Sequence, residues 1–420
     1  MHFMDVGPLL LVVVVATALT FAFTNGFHDT ANAMATSIVT RALRPRLAVA
    51  LSAVLNFLGA FLSLKVAATI AEDIVIGDAI TLTVVFAGLL GGMMWNLLTW
   101  YLGLPSSSSH ALIGGVVGAT LVSAGSSAVR GTTAVADVLV PAVLSPLLAM
   151  LVAGIGTWLI YRILRNVPAR IRSRGIRMGQ IGSASLVSLA HGSNDAQKTM
   201  GVITLALIVQ GTIRDEASVP TWVIVSSAAA MASGTYVGGW RIIRTMGKGL
   251  TPIRSPQGFA AESSSAAVIL AASNAGFPLS TTQVCCGSIV GAGAGRRLSG
   301  IRWGVLARIA MIWLATIPAA GVVGAAAWKA TQFIGGFPGV AVMFLTALTF
   351  ALGLFVAADR MPVNASNVNL AWTTCGAPLQ TTFEMPEPAG GPAAAKGPSP
   401  APGHRRGAGN DDVNGPRGRR

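Results

Sequence analysis

A chain of 420 residues that is 53% hydrophobic and 10% charged, with a mean hydropathy of +0.66, is too apolar to fold as a soluble domain of that size. The composition defines an all-α polytopic membrane protein. A formal charge of +14 would point to nucleic acid in a soluble protein, but here the arginines sit between apolar runs and in the tail, where they orient a membrane chain. No nucleic-acid partner is expected, and the lipid bilayer is the main surrounding.

The first apolar run, 8–28, contains Ala16-Thr-Ala18, which imitates a signal-peptide cleavage site, yet Asp5 precedes it, no Lys or Arg does, and the apolar run continues past it. It reads as a retained helix. Runs of bridging length, about 20 residues, follow at 47–70, 79–103, 110–128 and 138–161, then at 181–212, 219–240, 259–276, 278–295, 303–328 and 336–357. Residues 1–162 form a first transmembrane repeat, 163–180 an Arg-rich cytoplasmic loop and 181–357 a second repeat. Residues 358–420 form a basic tail whose Pro, Gly and Ala content predicts disorder. Cys285 and Cys286 read as small buried thiols, with no disulfide framework or metal spacing. Gln180, Lys65 and Lys329 read as interfacial side chains without a chemical role.

Basic segments belong on the cytoplasmic side. Arg41, Arg44 and Arg46, the run Arg162 to Arg177, the group Arg241, Arg244, Lys248 and Arg254, and Arg296, Arg297 and Arg302 then lie inside, and the loop with Glu72, Asp73 and Asp78 lies outside. One arrangement satisfies all of them: N-terminus outside, five crossings, six crossings, C-terminus inside. An odd number of crossings in the first half inverts the second. The segments 104–128 and 277–295 are alternatively re-entrant hairpins, which would lower that count.

Inside this apolar chain, Asn25-Gly-Phe-His28-Asp29-Thr-Ala-Asn32-Ala places an acid, an imidazole and two amides in the first run. A carboxylate at the bilayer centre costs about 2.5–3.5 kcal/mol on insertion scales, so it needs a partner or a purpose. The feature recurs as His191-Gly-Ser-Asn194-Asp195-Ala-Gln197-Lys198: Gly26 meets Gly192, His28 meets Asn194, Asp29 meets Asp195 and Asn32 meets Lys198. A second pair overlies Gly103-Leu-Pro105-Ser106-Ser107-Ser108-Ser109-His110 on Gly276-Phe-Pro278-Leu279-Ser280-Thr281-Thr282-Gln283. The aspartates are 166 residues apart and the prolines 173, so a few residues were gained between the motifs of the second half. The pattern predicts two inverted-topology repeats with broken or re-entrant helices around a midplane site.

A proline, a hydroxyl run and a Gly-spaced apolar helix together have the composition of a helix start. Such a start presents unpaired N–H groups and the positive end of a helix dipole, which together hold anions. Ser107, Ser108 and Ser109 with Ser280, Thr281 and Thr282 add hydroxyl donors, a set suited to a tetrahedral oxyanion. Asp29 and Asp195 either accept the protons of an anion that carries O–H at neutral pH, as phosphate does and sulfate does not, or bind a coupling cation or proton. His28 is either a hydrogen-bonded donor or a titrating group.

These two motif pairs, Asn25 to Ala33 with Gly192 to Gly201 and the Pro-hydroxyl segments, resemble those of the inorganic phosphate transporter (Pit) family of low-affinity permeases. The bacterial proton-coupled members are closer than the sodium-coupled ones, and the resemblance extends over most of residues 8–357. It implies a plasma-membrane symporter, not an enzyme, that carries inorganic phosphate, often as a neutral complex with a divalent metal, together with a proton. Arsenate would be an analogue, no cofactor is implied, and a homodimer is compatible with it. The family's phosphate and cation ligands match Asp29, Asn32, Asn194, Asp195, Ser107, Ser108, Ser109, Ser280, Thr281 and Thr282. Where sodium-coupled members carry an Asn-Asp-x-x-Asn signature in both halves, this chain has His28 and Lys198. The ammonium of Lys198 could stand in for one sodium ion, leaving coupling to protons, or contact phosphate directly.

Three rivals remain. A sulfate-proton symporter on the same scaffold would use the same hydroxyl segments. An intramembrane serine hydrolase would use a serine from Ser106 to Ser109 with His110 or His28, but no Gly-x-Ser-x-Gly elbow is present. A structural scaffold gives no reason for paired acids.

Overall fold

The computed structural model describes residues 7–67, 80–213 and 219–370, and among them there is no β-strand. The acidic loop with Glu72, Asp73 and Asp78, Cys375 and the expected disordered tail beyond Leu370 lie outside the described residues. Contacts divide the chain after Asn369, and of the second unit only Leu370 is described.

The first half holds α1 (Gly7–Val39), α2 (Pro45–Gly59), α3 (Leu82–Leu102), α4 (Ser108–Ala124) and α5 (Val140–Ile163). The second holds α6 (Ala169–Val209), α7 (Thr221–Val237), α8 (Ser255–Ala275), α9 (Thr281–Ala294) and α10 (Trp303–Ile334), and α11 (Gly336–Asp359) follows. With no water in the hydrocarbon layer, only helices satisfy their own backbone polar groups. Five of these, α1, α3, α5, α10 and α11, are long and apolar enough to cross a membrane. Many large apolar side chains of α5, α10 and α11 are exposed, among them Leu144, Leu151, Leu314 and Leu345, as on a lipid-facing surface.

One of the two alternatives for the short segments holds, and one expectation changes. The segments 110–128 and 278–295 are not full crossings: α4 has 17 residues and α9 has 14, about 25 and 21 Å of helix, and both begin in the buried centre beside Asp29 and Asp195. They are the return limbs of re-entrant hairpins, α3–α4 and α8–α9. Hydropathy reports burial in an apolar phase, not the depth at which the chain reverses. The Arg-rich segment is also largely helical, because α6 starts at Ala169 and runs unbroken for 41 residues. Arginine is a good helix former, and its basic turns extend the buried helix outward.

The duplication is visible in reciprocal packing. Both hairpins turn on a left-handed glycine, Gly103 at φ 67° and Gly276 at φ 83°, where a side chain would be strained. Both return helices are capped by serine, Ser107 accepting from the His110 N–H and Ser280 from the Gln283 N–H. Each hairpin then packs on the other half: Gly114 and Gly118 of α4 lie on the backbone of Ile317 and Gly321 in α10, and Gly287 and Gly291 of α9 lie on Pro146 and Met150 in α5. α5 and α10 carry matching internal prolines, Pro146 and Pro318. α1 and α6 run in opposite directions, since Asp29 faces His191 while Thr40 Oγ1, further on in the chain, bonds at 3.0 Å to Gln180 Oε1, which precedes His191 on α6.

A strap follows α11. Arg241 donates to the carbonyls of Ala358 and Met361, Arg244 to the carbonyl of Asn367 and Lys248 to that of Asn369, while Val368 is wholly buried. Arg241 also donates to the Tyr101 carbonyl at the end of α3, so one guanidinium joins the strap to the first hairpin. Arg241→Ala should lower unfolding stability by about 1.5–3 kcal/mol, the range for hydrogen bonds from a charged donor; chemical denaturation in detergent measures it.

Candidate functional site

The site is assembled by helices that each bring one row of polar residues to a common centre. Asp29 and Asn32 lie one turn apart on α1, and His191, Asp195 and Lys198 lie on one face of α6 by their i, i+4 and i, i+3 spacings. The hairpins bring the hydroxyls. Ser108 Oγ donates to Asp29 Oδ2 at 2.9 Å, and Thr281 Oγ1 donates to Asp195 Oδ2 at 2.9 Å. These are equivalent contacts in the two halves.

The halves also interlock at this point. Thr282 Oγ1 of the second hairpin donates to Asp29 Oδ1 at 3.2 Å, and Asn32 Nδ2 donates to the hydroxyls of Thr281 and Thr282 at 3.3 and 3.0 Å. Lys198 Nζ pairs with Asp195 Oδ1 and donates to the Leu279 carbonyl at 3.2 Å, which also accepts from Ser109 Oγ at 3.2 Å. Of the sequence-predicted residues, Asp29, Asn32, Ser108, Ser109, Thr281, Thr282, Asp195 and Lys198 therefore converge, all at most 6% exposed.

The other four sit around that centre. Ser107 and Ser280 are helix caps, as above. His28 bonds Asp29 through Nδ1 at 2.6 Å and reaches Thr99 and Ser106 through Nε2 at 3.1 and 3.3 Å. Its counterpart Asn194 donates to Ser273 Oγ at 3.0 Å and the Phe277 carbonyl at 3.4 Å. Both side chains tie a hairpin to the helix that carries the acid. The chain of contacts Ser106, His28, Asp29 has the order of a hydrolase triad, but Ser106 is wholly buried and shares its hydroxyl with Thr99. The equivalent link in the second half, Asn194 to Ser273, contains no histidine, which marks it as an anchor.

His191 has a part the sequence reading did not assign. Its Nε2 is 2.9 Å from Asp195 Oδ2 and 4.0 Å from Asp29 Oδ2, so one imidazole spans the acids of both halves. Its position four residues before Asp195, one helical turn, was the signal available. Asp29, His191 and Asp195 offer atoms within 4.8 Å of one another, a spacing compatible with a cation. Within this chain the oxygens of Asp195 have neighbours already, Lys198 at Oδ1 and Thr281 and His191 at Oδ2. Gln180 is not interfacial but wholly buried, and it donates to Glu262 at 3.4 Å. Glu262 on α8, 2% exposed, also accepts from Thr36, Ser37 and Ser183, fastening α1, α6 and α8 beyond Asn32.

A buried polar centre supplied by two opposed repeats, enclosed by lipid-facing helices, is the architecture of a solute-transport protein. The model of the family described as phosphate transporter family matches twice, over residues 25–174 and 165–324, one match for each half. A Mycobacterium bovis protein described as a probable low-affinity inorganic phosphate transporter is 58% identical over 370 residues, 88% of this chain and 89% of the relative. A Bacillus subtilis protein with the same description is 43% identical over 331 residues, 77% of this chain and 98% of the relative. The solved structure described as the sodium-dependent phosphate transporter superposes with a TM-score of 0.70, at 24% identity, covering 78% of this chain and all of that one, which shows a shared fold. The chain belongs to the phosphate transporter family, and its relatives are transporters rather than enzymes.

Proposed function

We propose that this chain imports inorganic phosphate by alternating access in symport with protons, with a divalent metal entering as part of the cargo. The observation that carries the reading is the pair of acids from oppositely directed helices, each bonded to a hydroxyl at the start of a re-entrant helix. Phosphate would take the hydroxyl and helix-start donors of both hairpins, and its own O–H groups would meet Asp29 and Asp195. Rocking of one repeat against the other would then exchange access, with the N-terminus outside and the C-terminus inside the plasma membrane. Uptake of radioactive phosphate by reconstituted protein, with proton and sodium gradients imposed separately, tests it. Competition by arsenate but not sulfate supports phosphate, and the reverse supports the sulfate symporter.

Proton rather than sodium coupling is supported by Lys198. Its ammonium pairs with Asp195 and a carbonyl oxygen, where the equivalent Asn32 leaves Asp29 without a fixed cation. Uptake by the native chain at fixed pH should be indifferent to sodium, whereas Lys198→Asn, which exposes Asp195, should become sodium-stimulated by about tenfold, the worth of one modest ion contact. A steep sodium requirement in the native chain contradicts this reading.

A further inference from the structure

Each hairpin tip is held from the other half by a basic side chain. Arg241 donates at 3.2 Å to the carbonyl of Tyr101, two residues before Gly103, and Lys65 Nζ donates at 2.9 Å to the carbonyl of Asn274, two residues before Gly276. The two contacts are counterparts. The centre begins at Ser108 and Thr281, five residues beyond the glycines. In the arrangement set by the basic segments, hairpin one enters from outside and hairpin two from inside. Tip one therefore overhangs the centre on the cytoplasmic side, beside the basic segment 240–249, and tip two overhangs it on the outer side.

The tips differ in what else secures them. At tip one, Thr245 Oγ1 donates to the Gly103 carbonyl at 2.7 Å, and the Trp100 ring lies 4.9 Å from that of Phe355 on α11. Phe27, next to His28, packs against both rings at 5.2 and 6.1 Å, so this aromatic contact runs from α11 to the edge of the centre. The strap at 360–369 is tied to the same place. Arg241 donates to Ala358 and Met361 at 2.9 and 2.8 Å, Arg244 to the carbonyl and side-chain oxygens of Asn367 at 3.2 and 3.1 Å, and Lys248 to the Asn369 carbonyl. Asn369 Nδ2 in turn donates at 3.4 Å to the Ile38 carbonyl at the end of α1. α11 and the strap follow the second repeat and belong to neither copy. Beside tip two there is instead an open apolar groove of about 940 Å³ between α5 and α8, bordered by Ala275, Phe277 and Leu279.

We infer that the strap is a lock on the inner gate, and that Arg241 is the residue through which it holds tip one. The inference deepens the alternating-access reading and rests on it and on its orientation. With the strap seated, the segment 240–249 is fixed at once to the strap and to tip one, and the strap is fixed to α1, so the cytoplasmic side stays shut and the centre opens outward first. The strap is built to leave as a unit. Asn364 Oδ1 accepts from the N–H groups of Ser366 and Asn367 at 2.9 and 3.3 Å, and Asn367 Nδ2 donates to the Pro362 carbonyl at 2.9 Å, so its turn is closed by its own bonds. Its polar ties to Arg241, Arg244 and Lys248 lie at the cytoplasmic surface, where water can replace them. Leaving costs the burial of Val368, and it frees the segment 240–249 to let tip one lift and the cargo pass inward.

The test uses full-length protein with Cys375→Ser, so that buried Cys285 and Cys286 are the remaining native thiols. Ser106→Cys is the reporter, three residues past Gly103 and wholly buried. A membrane-impermeant maleimide is applied to inside-out and right-side-out vesicles, and labelling is counted above that of protein lacking the reporter. Adding Val368→Asp, which places a charge where the strap is buried, should speed labelling from the cytoplasmic side by at least about tenfold, the effect of losing one hydrogen bond to a charged group, and leave labelling from outside unchanged. In a second arm, without the reporter, Arg244→Cys and Asn367→Cys are joined by a reducible dithiol cross-linker. The link should cut phosphate uptake at least about tenfold, and reduction should restore it. A strap that only stabilises the fold gives no reason for a reversible loss in molecules that stay folded throughout. One-sided labelling together with the reversible block supports the lock. Native labelling with Val368→Asp, faster labelling from both sides alike, or undiminished uptake by the linked protein overturns it and leaves phosphate transport intact. A native chain that takes up no phosphate overturns the transport reading instead, and the labelling arm still decides whether the strap shuts tip one.

Discussion

Asp29→Asn should reduce proton-driven phosphate uptake by at least about a hundredfold while the protein remains folded, because charge-assisted hydrogen bonds are worth about 1.5–3 kcal/mol each and each 1.4 kcal/mol is tenfold in rate. Asp29 is where the halves meet: it accepts from Ser108 of its own hairpin and from Thr282 of the other, and His28 lies against the same carboxylate. An amide of the same shape keeps the packing and removes the charge. Asp195→Asn should behave differently. It leaves the Lys198 ammonium buried without its counter-ion, a change that costs about 3–5 kcal/mol of stability. Adding Lys198→Asn should restore the stability and not the uptake. Radioactive phosphate uptake and thermal unfolding in detergent, measured side by side, separate the two effects; uptake by Asp29→Asn at the native rate would remove that acid from the mechanism.

Gly118→Val and Gly291→Val should each cost about 3 kcal/mol or more, beyond ordinary overpacking, because the added carbons have no side chain to displace. A Cβ at Gly118 meets the backbone of Gly321, and one at Gly291 meets the backbone of Met150. Since these are equivalent contacts, hairpin one on α10 and hairpin two on α5, the losses should be similar. Gly304→Val and Gly353→Val are the controls, on α10 and α11, where an added Cβ has open space and the expected change is within about 0.5 kcal/mol. Thermal unfolding of all four in the same detergent reads the result. Equal stability of the Gly118 and Gly353 variants would mean that the hairpins are not held by this close approach.

The sequence by itself determined the class of protein, the duplication and the acids, because an apolar composition and a carboxylate in a bilayer are costly departures that show in one dimension. The paired offsets of Asp29 with Asp195 and Pro105 with Pro278 also announced that the second half repeats the first. Only the tertiary structure decided which polar residues meet. Ser107 and Ser108 are neighbours in the chain, yet one caps a helix and the other bonds an acid, a difference set by the turn of the helix start. Asn194 and Asp195 diverge in the same way, one to the hairpin and one to the centre. His191 lies in a motif legible in the sequence, but its bridge to Asp29 depends on α6 running against α1, and its Nδ1 contact depends on Asn56, brought from α2. Local patterns encode which side chains a helix turns to one face; contacts between distant helices depend on how those faces are brought together, and no spacing within the chain records that distance.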